Sequence, residues 1–291
     1  MACVEFGIQQ TTKDTDWVVE PGALPRLVEF LQDLEAGLSG ANWRISYRSL
    51  FGAPLCEEFL GAGWTSHLAI WDDALSPEHH LDFFGKPPRL TADAALKGAS
   101  SGIASRLVVA QMKKTDRDKD WPVVQALSRQ ALLMGELESV LHLREPELLR
   151  DVWAKLPPCE RAELAARRPL LLELDQPRMG LARCLAVERA MWAEVNKLRY
   201  RAYQHAWKDF LRSWRKEDEF AWPDDGTLSF RRQHALLTEA VERFALPVDP
   251  LGGVNGRGEL YARAAGEVAP IFGLEPSELS AICPPWTEML T

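Results

Sequence analysis

The pattern of apolar and polar residues divides the chain into two regions. In the first, short apolar runs alternate with amphipathic stretches. "TDWVVE" (15–20) predicts one strand, while "HLAIW" (67–71) and "HHLDFFG" (79–85) predict two strands that can pair antiparallel. "LPRLVEFLQDLEAGLSG" (24–40) predicts an amphipathic helix that ends at glycine. Residues 1–130 are therefore predicted to form an α/β domain with a mixed sheet.

From residue 131 onwards, strand patterns disappear and Leu, Ala, Arg and Glu dominate. This composition predicts an all-helical domain over residues 131–291. Two stretches rich in Pro, Gly, Asn and Asp are predicted loops, at 222–227 and 246–258. The predicted helices cover 135–155, 159–167, 179–216, 228–244, 258–272 and 276–282.

The amino-acid composition and net charge exclude several classes of protein. The chain has 291 residues, of which 46% are hydrophobic and 26% charged, a normal globular balance. No apolar run approaches the roughly 20 residues that span a bilayer, and the start of the chain does not have the pattern of a secretory signal. The five cysteines form no CxxC pair, which argues against a zinc site and for a reducing cytoplasm. The net charge of −8 argues against non-specific coating of nucleic acid.

Three carboxylates are the candidate chemistry of the first region. Asp14 and Asp16 stand two residues apart, so a strand would point both side chains to one face. Their mutual repulsion is offset if a cation lies between them, and Mg²⁺ or Mn²⁺ prefers such oxygen ligands. Asp82, between Leu81 and Phe83 on a predicted strand, is the natural third ligand. The alternatives are a solvated strand edge for the pair, and ordinary alternation that turns Asp82 to solvent.

The order of these pieces resembles the DNA polymerase β-like nucleotidyltransferase superfamily, and most closely its minimal, abortive-infection toxin type. The matching residues are Ala2, the run Thr12-Lys13-Asp14-Thr15-Asp16, Asp82, Lys113 or Lys114, and the run Arg117-Asp118-Lys119-Asp120. The resemblance covers residues 1–135. It implies a nucleotidyltransferase-like α/β fold ahead of the helical domain.

The resemblance also implies roles and partners. Asp14 and Asp16 would bind the catalytic Mg²⁺ or Mn²⁺, and Asp82 would be the third ligand and would deprotonate the acceptor hydroxyl. Lys13 and Lys113 or Lys114 would contact the triphosphate. The reaction would transfer a nucleoside monophosphate from an NTP to an RNA or protein hydroxyl, in the cytoplasm and away from membranes. A cognate antitoxin would be a further partner.

One departure from the superfamily concerns glycine. A Gly-Gly or Gly-Ser pair, whose amides cradle phosphates, normally precedes the first Asp by about 9–13 residues. Here Gly7 stands alone, and the first strand would be missing as well. A start codon assigned too late, a truncated gene, or a protein that no longer transfers nucleotides would each account for this. The alternative function is therefore a non-catalytic interaction protein on the same fold.

A basic, aromatic stretch stands out in the second region. Residues 192–216 contain seven Lys or Arg against two acids, Glu194 and Asp209. Aromatic residues recur there at helical spacing, which is typical of a core stripe on a long helix. The Lys and Arg residues then either form a solvent-exposed face opposite that stripe or bind nucleic-acid phosphates. The residues expected to bind phosphates are Arg201, Lys208 and Arg212.

Overall fold

The fold is known from a computed structural model. The structure describes residues 2–9, 14–38, 43–48, 51–72, 75–216 and 228–291, with the backbone alone at 14, 38, 43, 71–72 and 75–78. It has a four-stranded mixed sheet followed by a helical C-terminal region, as the apolar pattern predicts. Among these residues, no helix has the length and apolar character needed to cross a membrane.

The secondary structure alternates in the first region and is helical in the second. The strands are β1 (Asp14–Val18), β2 (Trp43–Tyr47), β3 (Thr65–Asp72) and β4 (Leu75–Phe84). The helices of the first region are α1 (Ala2–Glu5), α2 (Leu24–Leu38), α3 (Glu57–Gly61), α4 (Ala92–Leu96), α5 (Arg106–Met112) and α6 (Asp120–Leu133). Those of the second are α7 (Pro146–Trp153), α8 (Pro158–Arg167), α9 (Leu181–Trp214), α10 (Phe230–Arg243), α11 (Gly253–Val268) and α12 (Trp286–Met289). Short 3₁₀ segments occupy Leu137–Leu141, Pro169–Leu174, Ala269–Phe272 and Pro276–Ala281.

The sheet has the strand order β1-β4-β3-β2. β1 pairs with β4 in parallel, whereas the β4–β3 and β3–β2 pairs are antiparallel. The predicted antiparallel pairing of 67–71 with 79–85 is therefore confirmed, with His67 opposite Asp82. β2 went unpredicted, although "WRISY" alternates apolar residues with Arg44 and Ser46 as a half-buried strand does.

One face of the sheet is buried in a core that both regions supply. Ile45, Leu68 and Phe83 of the sheet are at most 5% exposed and belong to one apolar cluster with Trp207 and Phe230. The helices α9 and α10 thus cover the sheet. Residues 1–130 and 131–291, predicted as separate domains, share this core.

The 34-residue helix α9 also belongs to a second core. Its N-terminal half buries Leu185, Met191 and Val195 among helices of the second region. Its C-terminal half buries the aromatic stripe, including Tyr203 and Trp214, against the sheet. The core-stripe interpretation of these aromatic residues is therefore confirmed.

The edge strand β2 is closed by side chains rather than by another strand. The amide of Tyr47 donates to Gln233 Oε1 (3.0 Å), and Gln233 Nε2 donates to the carbonyl of Ile45 (3.2 Å). Glu35 accepts from the amide of Ile45 (3.2 Å) and from the amide of Phe230 (2.7 Å). Gln233 is 1% exposed, so this edge is withheld from pairing with another chain.

The glycine-rich segment 252–258 is helical, so the predicted loop at 246–258 ends six residues early. Asp249 provides the reason, because its carboxylate accepts hydrogen bonds from the amides of Leu251 and Gly253 (3.0 Å each) at the start of α11. Arg257 completes the arrangement with a hydrogen bond to Asp249 (2.8 Å). Burial would raise the pKa of Asp249, but these hydrogen bonds outweigh it and the pKa is lowered. The other predicted loop, 222–227, lies outside the described residues.

Candidate functional site

Two of the three predicted carboxylates lie side by side on the sheet. Asp16 of β1 is the direct register partner of Asp82 on β4. Alternation turns Asp16 and Asp82 to one face, while Leu81 and Phe83 face the apolar core. The register places Asp14 opposite His80 on the same pair of strands. The side chain of Asp14 is not described, and Lys13 lies outside the described residues.

Asp82 has cationic or potentially cationic partners within the chain. The imidazole of His67 on β3 donates from Nδ1 to Asp82 Oδ1 over 2.7 Å. Arg48 Nη1 lies 4.0 Å from the same oxygen, and the amide of Arg48 donates to the carbonyl of His67 (2.9 Å). The three side chains are 17–21% exposed. Sequence reasoning named no partner for His67, since the pairing depends on the β3–β4 register.

The segment after Arg48 holds His67 in position. At Gly52, an added Cβ would lie 2.6 Å from the carbonyl oxygen of Thr65 and 2.8 Å from His67 Cδ2, so only glycine fits without a shift. Phe51 packs edge-on against His67, with ring centroids 6.3 Å apart, and against Tyr200 of α9 at 4.7 Å. The imidazole is thereby fixed between Asp82 and this segment.

The two candidate phosphate lysines have different environments. The thiol of Cys3, whose pKa is raised mainly by burial, is within electrostatic range of both Lys113 and Asp16. Lys113 follows the C-terminal end of α5 and is partly buried. Lys114 is 5% exposed and donates to the carbonyl of Leu141 (3.2 Å). Its charged neighbours are Glu188, Arg168, Glu288 and Arg144 rather than the sheet carboxylates.

The charged run 115–120 is a structural turn between α5 and α6. Arg117 donates from Nε to Asp120 Oδ2 (2.8 Å), and the hydroxyl of Thr115 donates to the same oxygen. Asp120 is 4% exposed and begins α6, where an acid is favoured by the helix dipole. Asp118 pairs with Arg189 of α9. Asp118 and Asp120 thus stabilise the turn.

The basic face of α9 is exposed. Arg201, Lys208 and Arg212 all lie on the surface, and Arg212 is paired with Asp209 (2.8 Å). At the end of the helix, Lys208 and Arg212 line a shallow depression with Arg215 and Lys216. This cluster, Lys208, Arg212, Arg215 and Lys216, is named the basic patch below.

Within the described part of the chain, no three His, Cys, Asp or Glu side chains form a group arranged to hold a metal ion. The side chain of Asp14 lies outside this described part. Comparison of the chain with models of known families, with curated proteins and with solved structures finds no match.

Proposed function

We propose that the protein is a metal-dependent nucleotidyltransferase that moves a nucleoside monophosphate from an NTP to an acceptor hydroxyl. The observation that carries this proposal is the direct register pairing of Asp16 with Asp82 on adjacent parallel strands. The resemblance of residues 1–135 to nucleotidyltransferases requires an acidic pair on one strand and a third acid beside it. In the sheet β1 and β4 are neighbours, and Asp16 stands beside Asp82.

The donor atoms suit the implied ion. Asp14, Asp16 and Asp82 would offer carboxylate oxygens, which are the ligands of Mg²⁺ and Mn²⁺. Both described contacts of Asp82, to His67 and Arg48, use Oδ1, so a metal ion would compete for that oxygen or take Oδ2. The bound ion would neutralise negative charge that develops on the phosphates during transfer.

The chain's own residues would move the proton and orient the acceptor. The acceptor oxygen forms a bond to the α-phosphorus while the bond from that phosphorus to the bridging oxygen breaks and pyrophosphate leaves. Asp82 takes the acceptor proton, and His67 fixes the orientation of its carboxylate. Lys113 contacts the triphosphate from the end of α5. The basic patch and Arg201 provide a surface for an RNA acceptor, since Lys and Arg supply the phosphate contacts of such complexes.

The experiment is transfer of label from each α-³²P-labelled NTP with Mg²⁺ or Mn²⁺, using the protein alone and total RNA as acceptors. Asp16→Asn and Asp82→Asn should each lower transfer by at least about 100-fold, as expected when a group that stabilises transition-state charge is removed. Asp151→Asn, at an exposed position on α7, is the matched control. Absence of transfer with all four nucleotides, together with no Mn²⁺ binding in the presence of NTP, would refute the proposal.

The second candidate is a non-catalytic interaction protein. The observation that favours it is the contact of Asp82 with His67 and Arg48 within the chain, which gives the carboxylate partners without a metal. In that case Asp82→Asn would lower stability by disrupting the His67 contact, and Mn²⁺ would bind wild type and variant equally weakly. Calorimetric titration of both proteins with Mn²⁺ separates the two candidates.

A further inference from the structure

The structure contains a cavity of about 810 Å³. Its walls come from 89–114, from 141–142 and 167–168, from Trp192 of α9 and from the C-terminal residues 284–291. Its volume lies within the range of about 300–1,000 Å³ typical of small-molecule sites. Asp16, His67 and Asp82 do not line it, so it is a separate place in the molecule.

The wall of this cavity contains three buried cations, and two of them, both guanidinium groups, make several hydrogen bonds within the chain. Arg168 makes two hydrogen bonds to Glu188 and two to the carbonyls of Val140 and Leu143. Arg89 donates to two carbonyls at the end of α5 and to a side-chain oxygen of α9. Arg168 is therefore paired with a carboxylate, whereas Arg89 has three neutral oxygen acceptors.

Lys114 is the third cation and is only partly satisfied. Its ammonium, which can donate three hydrogen bonds, donates one to a carbonyl over 3.2 Å and lies 4.8 Å from the centroid of the Trp192 ring. Among the described residues, no carboxylate lies within ion-pair distance of it. Burial of a charge without an ionic partner is costly, and a bound anion would offset that cost.

Two neighbours of Lys114 have unpaired ring nitrogens. Nδ1 of His142 and Nε1 of Trp192 are buried and have no hydrogen-bond partner among the described residues. Both residues line the cavity with Lys114. Buried polar nitrogens normally have a partner, so Trp192 Nε1 carries an unused N–H, and His142 Nδ1 is an unused donor or acceptor according to its tautomer.

Four carboxylates line the cavity, those of Glu5, Glu136, Glu138 and Glu288, and in the described part of the chain none forms an ion pair with Lys114. Glu138 and Glu288 both bind Arg167 (2.9 and 3.0 Å), which neutralises them. Apolar side chains, among them Leu107 and Leu141, line other parts of the wall. The cavity thus combines an electropositive end with apolar walls.

We propose that this cavity binds a small organic anion whose carboxylate or phosphate group contacts Lys114, His142 and Trp192, and whose apolar part packs against Leu107 and Leu141. Carboxylate and phosphate share the chemistry that this end of the cavity recognises. The proposal is independent of nucleotidyl transfer, because the residues that carry it lie outside the acidic face.

Anion binding should strengthen as the pH falls, because the charged ammonium is the form that attracts the anion. Burial lowers the pKa of Lys114 to about 7, with Glu188 and Glu288 raising it and Arg168 and Arg144 lowering it further. His142 stays neutral over the same range, since burial and then Lys114, Arg168 and Arg167 lower its pKa well below 6.5. Arg167 stays charged, because its hydrogen bonds to Glu288 and Glu138 outweigh its burial and raise its pKa.

The test is calorimetric titration of the full chain with inorganic phosphate, phenyl phosphate and phenylacetate. At least one phenyl compound should bind, and Lys114→Met should weaken that binding at least tenfold. Lys155→Met, at an exposed position outside the cavity, should leave it unchanged. Comparison of phenyl phosphate with phenylacetate identifies the preferred anion. For wild type, the affinity should fall as the pH rises from about 6 to about 9, the range around the lowered pKa of Lys114.

If Lys114→Met does not fold, Trp192→Phe removes the indole N–H together with part of the ring and should still weaken binding several-fold. Failure of all three probes to bind wild type at millimolar concentration would overturn the proposal. So would equal affinity of wild type and the folded Lys114→Met variant, or affinity independent of pH. Binding of inorganic phosphate alone, unaffected by Trp192→Phe, would contradict the assigned orientation.

Discussion

Replacement of Arg168 by methionine should be among the most destabilising single changes in the helical core. The guanidinium is 2% exposed and makes four hydrogen bonds of 2.7–2.8 Å, two of them to the carboxylate of Glu188. Methionine would fill similar space but would leave Glu188 with Arg144 as its remaining ionic partner, at 3.2 Å. Two backbone carbonyls would lose their partner as well.

The size of the loss in the free energy of unfolding follows from these contacts of Arg168. Removal of one partner of a buried ion pair costs about 3–5 kcal/mol, because a buried charge is left uncompensated. Arg144 retains part of the compensation, so we expect a loss of about 3–4 kcal/mol in the free energy of unfolding. Arg150→Met is the matched control, because its pair with Glu147 spans 3.6 Å and is 57–82% exposed. That pair should contribute less than about 1 kcal/mol.

Urea denaturation followed by tryptophan fluorescence measures the difference, since Trp121, Trp153 and Trp192 are buried in the same core. A second variant, Arg168→Met combined with Glu188→Leu, should recover stability relative to Arg168→Met alone, because both buried charges are then removed. If the free energy of unfolding of Arg168→Met were within about 1 kcal/mol of that of the Arg150→Met control, the reasoning from burial and hydrogen bonds would be refuted.

Three further predictions concern other parts of the fold. Gln233→Leu removes both hydrogen bonds to the edge strand and should cost about 2–4 kcal/mol by the same urea assay, whereas the exposed Glu239→Ala should be neutral; equal effects would contradict the role of Gln233. Gly52→Ala places a methyl group against the Thr65 carbonyl and His67, so thermal denaturation should show a loss of about 1–3 kcal/mol, and an unchanged melting temperature would disprove that contact. Lys114, with its pKa lowered from 10.5 to about 7, makes wild type more stable as pH rises over that interval, because the unfolded chain then binds more protons. Lys114→Met should flatten this slope, which spans at most about 5 kcal/mol, and an identical slope in both proteins would contradict the burial of a titrating lysine.

Local patterns predicted the parts of the fold that depend on local sequence. The helices α2, α9 and α10 were predicted near their observed bounds because their apolar residues recur with helical spacing and glycine or serine marks an end. The antiparallel pairing of β3 with β4 was predicted from two apolar runs a short distance apart. The start of α11 was missed because glycines suggest a loop, whereas the Asp249 hydrogen bonds that begin this helix come from the preceding segment.

The candidate site was predictable only in part for a related reason. The DxD spacing and the isolated Asp82 identify the acidic residues, and alternation gives their faces. The partner of Asp82 could not be predicted, because it depends on which residue of β3 stands opposite it. The burial of Lys114 likewise depends on Trp192 and Leu141, which lie 78 and 27 positions away in the sequence. Contacts at such separations leave no periodic trace in the sequence.

The helix α9 has a consequence for how the protein folds. At about 1.5 Å per residue, its 34 residues extend about 51 Å, and its two halves belong to different apolar cores. Melting of either core would remove the packing of half the helix, and isolated short helices are marginal in water. The two cores should therefore unfold as one cooperative unit, with amides along the whole of α9 exchanging hydrogen at a common slow rate. A polypeptide that ended midway along α9 would leave each core open on one side, so neither half of the chain should fold by itself.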